Sequence, residues 1–284
     1  MVARSHEDDF PSTIQHLPML TRAKTNFTSS ADVDRQVSEA LSQGNSLYHL
    51  DVDQLKALQP TIIVTQDLCT VCSIDLVSVQ RVASNMNPRP EIVTLNPTSV
   101  AEVMESVTTV GNAIGHAEGA AKARAELERR IQRCIDIGAQ AKKDNPEYKS
   151  KRVMFFEWTD PIYPAGHWTP EMIEMAGGVH PINPPGSHSK RVPESDVIAT
   201  DPEVIIICPC GLDLTATRKE YDLLMTKDWF RTLHDKATTV ALVDGNQMFN
   251  RSGPRLVECT EWLVSLLHDR PEFEPSGFPW ERIK

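Results

Sequence analysis

The densest group of chemically useful side chains lies in the segment EWTDPIYPAGHWTPEMIEMAGG, residues 157–178. It places Trp158, Tyr163, His167 and Trp168 among three prolines, directly after the strand-like run RVMFF. Aromatic faces with a few polar tips, on a loop stiffened by proline at a strand end, suit a large, flat organic ligand. The alternative is that both tryptophans only cap a hydrophobic core.

The cysteines indicate a different chemistry. Cys69 and Cys72 have C-x-x-C spacing, and Cys208 and Cys210 form a second close pair. Both pairs follow apolar strand-like runs, so both are expected at carboxyl ends of strands, where open α/β sheets bind ligands. Converging pairs would form a four-thiolate metal site; otherwise they are unrelated pairs of small buried residues. The other two cysteines are expected in the core: Cys134 and Cys259.

Composition limits the possible functions. The chain has 284 residues, 40% hydrophobic and 24% charged, which is typical of a soluble globular protein. Its net charge of −10 argues against nucleic acid or an anionic membrane as a partner. No apolar run approaches the roughly 20 residues that span a bilayer, so no membrane insertion is expected.

The N-terminal residues MVARSHEDDFPSTIQ lack the apolar core of a signal peptide. As written, the chain is therefore expected to be cytoplasmic. A truncated start would instead make it extracytoplasmic.

Strand-like and helix-like runs alternate along the chain, which predicts an α/β fold with mainly parallel sheets. Strands are predicted at Leu58–Val64, Glu91–Leu95, Arg152–Phe156, Val204–Cys208 and Thr239–Val243, the first of them leading into a buried strand. Helices are predicted at Val33–Gln43, Ser73–Met86, Pro170–Ala176, Glu194–Ala199, Lys219–Met225 and Pro254–His268.

The middle of the chain predicts a long helix. Apolar residues at helical spacing continue past Ser99, and the pattern indicates two helices with a break near Gly115. The second helix is predicted from about Ala117 to Ala141. This divides the chain into an N-terminal α/β lobe (1–115), a backbone helix (116–145) and a C-terminal α/β lobe (146–284).

Seven motifs together resemble one protein family: HEDDFP, LPMLT, SLYHLD, VTQDLCTVC, EWTDPIYPAGHWTPEM, PCG and NRSGPRLVE. Their order is similar to that in the substrate-binding proteins of cobalamin importers, which belong to the helical-backbone metal receptors. The resemblance implies two Rossmann-like lobes joined by one long α-helix, with a ligand cleft between the lobes. It also implies capture of cobalamin or a related metal chelate for an ABC transporter permease, without enzymatic activity and as a monomer.

The resemblance also implies a set of ligand-binding residues: His6 near the rim of the N-terminal lobe, and Trp158, Tyr163, His167, Trp168, Phe249, Arg251 and Arg255 on the C-terminal lobe. The chemistry of these residues fits a metal chelate. Indole rings stack on a macrocycle, guanidinium groups bind carbonyl or carboxylate edges, and a neutral imidazole can be an axial ligand of cobalt or iron. For His167 the alternative is a hydrogen-bonded loop histidine, and for Arg255 a surface ion pair on a helix.

The chain departs from the family pattern at its start, because the strand and helix that usually precede the HEDDFP-like segment are absent. Two other functions remain open. One is an intracellular metal or corrinoid chaperone that uses the paired cysteines. The other is a thiol-dependent enzyme with Cys69 as nucleophile, although no common catalytic motif is present.

Overall fold

A computed structural model describes residues 1–67, 76–144, 147 and 149–284. The chain forms two compact units. Unit 1 comprises Met1–Asn96 and Thr109–Glu118, and unit 2 comprises Pro97–Thr108 and Gly119–Lys284. No helix in the described ranges is both long enough and apolar enough to cross a bilayer.

Unit 1 contains short strands and helices. In chain order they are β1 (Thr21–Ala23), α1 (Ser30–Ser42), β2 (Tyr48–Leu50), α2 (Val52–Leu58), β3 (Ile62–Thr65), α3 (Leu76–Ser84) and β4 (Glu91–Thr94). Strand β1 pairs with β2 in antiparallel register, and β3 pairs with β4 in parallel register. The parallel pair confirms the alternating pattern, but the prediction of a buried strand here is wrong. Val64 is 47% exposed, and within the described residues β3 pairs with β4 alone.

Two helices follow β4: α4 (Val100–Ala113) and α5 (Ala117–Asp144). Gly115, between them, has a φ of +74°, which glycine adopts without steric cost. The predicted break near Gly115 and the long helix after it are therefore confirmed. The assignment of that helix as a backbone between two lobes stays a prediction.

Unit 2 holds a five-stranded sheet. Its elements after α5 are β5 (Val153–Trp158), β6 (Tyr163–Pro164), α6 (Thr169–Met175), α7 (Glu194–Ala199), β7 (Val204–Ile207), α8 (Leu214–Leu224), α9 (Asp228–Lys236), β8 (Thr239–Val243), α10 (Leu256–His268) and β9 (Trp280–Arg282). The strand order is β6-β5-β7-β8-β9. The three central strands are parallel and the two outer ones antiparallel.

The central strands of unit 2 form its core. Every residue of β7 and β8 is buried, as are the first four of β5. Strands buried on both faces read as continuous apolar runs, which is the pattern that VMFF, VIII and TVALV show. The predicted mixed α/β class is confirmed.

Candidate functional site

The candidate site is the carboxyl edge of the sheet in unit 2. Strands β5, β7 and β8 are parallel, so the segments that follow them emerge at one edge. Glu157 and Trp158 are the last residues of β5, and the segments after β7 and β8 are the Cys208–Leu212 turn and the loop from Asp244 to Arg255. Ligands of open α/β sheets bind at such edges.

The loop after β8 begins with a tight turn around Asp244. Its carboxylate accepts backbone hydrogen bonds from Asn246 and Gln247 at 3.0 and 2.9 Å. Burial raises the pKa of Asp244, and the hydrogen bonds from Gln247 oppose that rise. A Cβ at Gly245 would lie 2.0 Å from the carbonyl oxygen of Pro209, so the loops after β7 and β8 touch where only glycine fits.

Trp168 holds the next part of this loop. Its Nε1 donates to the carbonyl oxygen of Phe249 at 2.6 Å, and the backbone N–H of Phe249 donates to Cys259 Sγ at 3.3 Å. Phe249 has a φ of +61°, an uncommon conformation for a side-chain-bearing residue, and these bonds hold it there.

The side chains of Trp168 and Phe249 lie in the interior, with exposures of 6% and 1%. The Phe249 ring packs edge-on against Phe155 and Trp262, at centroid distances of 4.9 and 5.9 Å. Neither ring therefore presents a face to a ligand in this conformation, contrary to their predicted role. The two residues instead shape the loop that carries Arg251, so for Trp168 the core alternative describes the structure better.

Glu157 ties three segments together. Its Oε2 accepts from the Gly166 backbone N–H at 3.1 Å, and its Oε1 from the Ser189 hydroxyl at 2.7 Å. Its carbonyl oxygen accepts from the Cys210 N–H at 3.0 Å. Sequence reasoning missed this role, because a carboxylate at a strand end has no spacing that reveals which loops it joins.

His167 forms a close pair with His188. Nε2 of His167 and Nδ1 of His188 are 2.9 Å apart, and the ring planes meet at 89°. Burial, and then the neighbouring His188, lower the pKa of His167. His167 is therefore a neutral imidazole at physiological pH, the form that binds metals.

The two predicted arginines lie on the loop after β8. Arg251 Nη2 donates to Asn246 Oδ1 at 2.9 Å. Arg255 Nη1 donates to Gln247 Oε1 at 3.2 Å, and its Nε donates to Glu258 at 3.1 Å. The helix ion pair considered as the alternative for Arg255 is therefore present. Both guanidinium groups are only partly buried.

Trp158 and Tyr163 lie opposite each other on β5 and β6, and both are partly exposed. Of the predicted tryptophan, tyrosine and phenylalanine ligands, these two are the ones that are not buried. In unit 1, His6 is also partly exposed. Its Nδ1 lies 2.7 Å from the Thr21 hydroxyl, and its ring centroid lies 5.7 Å from that of Tyr48.

The predicted thiolate site gains no support. Cys69 and Cys72 lie outside the described residues. Cys208 is buried with its Sγ 3.8 Å from the Met248 carbonyl oxygen, and burial raises its pKa well above the ordinary value, so its side chain is a core thiol. Cys210 is partly exposed. The described residues contain no group of three or more His, Cys, Asp or Glu side chains placed to hold a metal ion.

The expected core positions of the other two cysteines are confirmed, since both are buried. Burial raises the pKa of Cys134 and of Cys259 to about 12.

Several solved structures have a fold similar to that of this chain. A periplasmic haem-binding protein from Pseudomonas aeruginosa matches with a TM-score of 0.69 and 16% identity, over 95% of this chain and 85% of that one. The periplasmic vitamin B12-binding protein BtuF of Vibrio cholerae matches with a TM-score of 0.61 and 16% identity, over 94% and 88%. An ABC transporter substrate-binding protein from Listeria monocytogenes matches with a TM-score of 0.59 and 15% identity, over 78% and 81%.

At these identities the likeness shows the fold alone. No family model matches the sequence, and no curated protein matches it.

Proposed function

We propose that this receptor fold serves as a substrate-binding protein that captures cobalamin or a related metal chelate for an ABC-type transporter, without catalysing a reaction. The observation that carries the proposal is the construction of the carboxyl edge in unit 2. There, hydrogen bonds accepted by the carboxylates of Glu157 and Asp244, and one donated by Trp168, bind the strand-end loops into one surface. That surface carries two partly exposed aromatic residues, a neutral imidazole and two guanidinium groups.

Each of these groups matches one part of a macrocyclic metal chelate. The faces of Trp158 and Tyr163 suit its π-system, with each aromatic contact contributing about 0.5–1.5 kcal/mol beyond area burial. Arg251 and Arg255 suit carboxylate or amide groups at its edge. His167 suits an open axial position on iron or cobalt. His6, in unit 1, remains a predicted ligand contact and is tested by its own variant.

The motifs favour cobalamin among the possible chelates, whereas the solved receptors of this fold are described as binding haem or vitamin B12. The two ligands make different demands on the arginines. Haem carries two carboxylates, which form charge-assisted hydrogen bonds with guanidinium, while a corrin edge carries neutral amides. Loss of both arginines would therefore weaken haem binding more than cobalamin binding.

The location follows from the same proposal. Two of the three receptors above are described as periplasmic, which favours the extracytoplasmic alternative over the cytoplasmic expectation. Fractionation of cells that produce the protein from its full gene would decide between them.

The test is a titration of the purified protein with haem, cyanocobalamin and aquocobalamin, followed by tryptophan fluorescence and by the visible spectrum of the chelate. We expect saturable quenching by at least one chelate. If His167 is an axial ligand, aquocobalamin or haem gives a shifted visible spectrum, and the shift is lost in His167→Asn. Asparagine is chosen because it tolerates the left-handed backbone at this position. Cyanocobalamin, whose upper axial position is blocked, should show no such shift.

The matched control is His116→Gln, which changes an exposed histidine outside this edge. Binding of none of the three chelates, with the protein folded, would contradict the proposal.

A further inference from the structure

A second histidine beside His167 lies in a segment to which no role has been assigned. His188 lies 21 positions beyond His167 in the sequence, just after the turn NPPG at residues 183–186. His188 is exposed and His167 half-buried. Their facing nitrogens are closer than any van der Waals contact, so one imidazole donates a hydrogen bond to the other.

The backbone around the pair is closely interlocked. The His167 N–H donates to the Ser187 carbonyl oxygen at 2.6 Å, and the Gly186 N–H donates back to the His167 carbonyl oxygen at 2.8 Å. A Cβ at Gly166 would lie 2.4 Å from the Ser189 nitrogen, so the two segments touch through their backbones. Glu157 accepts hydrogen bonds from both segments.

His167 has a φ of +52°, a left-handed conformation that few side-chain-bearing residues adopt. Such conformations persist where the surroundings impose them, and they cluster at functional sites. Here the interlocked backbone turns the imidazole of His167 towards His188 and fixes it before any ligand arrives.

The distance between the nitrogens decides what the pair can bind. Two nitrogens on opposite axial sides of one macrocycle metal are about 4 Å apart, twice a bond of about 2.0 Å. The observed 2.9 Å therefore excludes both histidines as axial ligands of one chelate. Two nitrogens that bind one tetrahedral ion lie about 3.3 Å apart, for bonds of about 2.0–2.1 Å. Reaching that separation requires the two nitrogens to move about 0.4 Å further apart, and His188 lies at the surface.

We propose that His167 and His188 together form a site for a divalent transition-metal ion, with water in the remaining coordination positions. Imidazole nitrogen is a favoured ligand of Cu²⁺, Zn²⁺ and Ni²⁺, with Cu²⁺ expected to bind most tightly. Each ring binds the ion through its facing nitrogen, and the proton of the donor ring moves to the other nitrogen of that ring. It competes with a chelate for His167, but it needs no chelate in order to bind.

The test uses Cu²⁺ alone, because this ion quenches nearby indole fluorescence. The Trp168 ring lies 5.6 Å from that of His167, between centroids, so quenching reports on this site. We expect saturable quenching at one equivalent. The apparent affinity should fall about tenfold or more in His188→Gln, as for the loss of one of two ligands, and should fall further in the double variant with His167→Asn, which has neither ligand.

His116→Gln provides the matched control and should bind as the unmodified protein does. Because His188 is exposed, its substitution should leave the melting temperature unchanged, and circular dichroism checks this. Unaltered Cu²⁺ quenching in His188→Gln, or an equal loss in His116→Gln, would overturn the proposal. Failure of chelate capture would not affect this experiment, since no chelate is present.

Discussion

Strand β3 of unit 1 and strand β7 of unit 2 have similar sequences, IIVT and VIII, and each pairs with a parallel neighbour. Their burial differs completely. All four residues of β7 are fully buried, whereas β3 is partly exposed along its length. Strand β7 lies between two partners, while β3 pairs in the described residues with β4 alone.

The comparison shows that an apolar strand stabilises the fold only to the extent that adjacent strands and helices bury its side chains. Unit 2 supplies neighbours on both sides of its central strands, and its strand-end loops are fixed by buried hydrogen bonds. We therefore expect unit 2 to hold ligand-binding side chains in fixed positions. The stability of unit 1 depends on fewer buried side chains.

The same substitution in the two strands gives the sharpest test of this difference. Ile205→Ala, in β7, should lower the free energy of unfolding by about 4 kcal/mol, because it leaves a cavity in a closed core. Ile63→Ala, at the matching position of β3, should cost about 1 kcal/mol, since that side chain is only partly buried. Urea unfolding followed by circular dichroism measures both. Equal losses would show that β3 is covered as fully as β7.

Tryptophan fluorescence, recorded in the same urea titration, reports the unfolding of unit 2 separately. All five tryptophans lie in unit 2: Trp158, Trp168, Trp229, Trp262 and Trp280. Fluorescence therefore follows unit 2 alone, and circular dichroism follows both units. We expect the circular dichroism transition to begin at a lower urea concentration.

The sequence predicted the fold best where burial is complete. The bounds of β8 match the predicted Thr239–Val243, because five consecutive buried residues leave a clear apolar run. Helix α9 (Asp228–Lys236) was missed, since its apolar residues stand among charged ones. The outer strands β6 and β9 were also missed, because two or three residues carry no readable periodicity.

The site was predictable in position but less so in detail. Aromatic and polar residues after a strand run placed it at the edge of a sheet, yet the sequence does not tell which indole faces solvent. Trp168 is buried because its N–H reaches the Phe249 carbonyl group, a contact across 81 positions. His188 was missed for a similar reason, since a backbone contact at Gly166, and no sequence spacing, brings it to His167.

Acid should destabilise unit 2, because unfolding lets the buried His180 take up a proton. His180 is 6% exposed, and burial lowers its pKa from 6.5 to about 4. The unfolded chain therefore binds a proton between pH 6.5 and about 4 that the folded chain does not. The contribution of neutral His180 to the free energy of unfolding is fully present above pH 6.5. It is lost as the pH falls towards 4, by up to about 3 kcal/mol.

Unfolding by urea at pH 7.5, 6 and 5 measures the loss, and His180→Gln serves as the comparison variant. We expect the variant to lose less stability than the original chain over the same interval. A parallel decline in the two proteins would assign the acid sensitivity to other groups.

The two indoles of the candidate site should respond differently to the same change. Trp168→Phe removes the N–H that satisfies the buried Phe249 carbonyl group, and should lower the free energy of unfolding by about 1–3 kcal/mol. Trp158→Phe, at a partly exposed position, should lower it by about 0.5 kcal/mol or less. Thermal or urea unfolding gives both values. Equal effects would show that the Trp168 hydrogen bond does not hold the loop.

The affinity for a chelate should depend on Trp158, the partly exposed indole. Trp158→Leu keeps an apolar side chain but removes the aromatic face, so chelate binding should weaken by about 1 kcal/mol while stability changes little. Trp280→Leu, on the outer strand β9, is the matched control and should leave affinity unchanged. Both are measured in the chelate titration. Full affinity in Trp158→Leu would move the ligand away from the end of β5, because Trp158 is the only tryptophan on that strand.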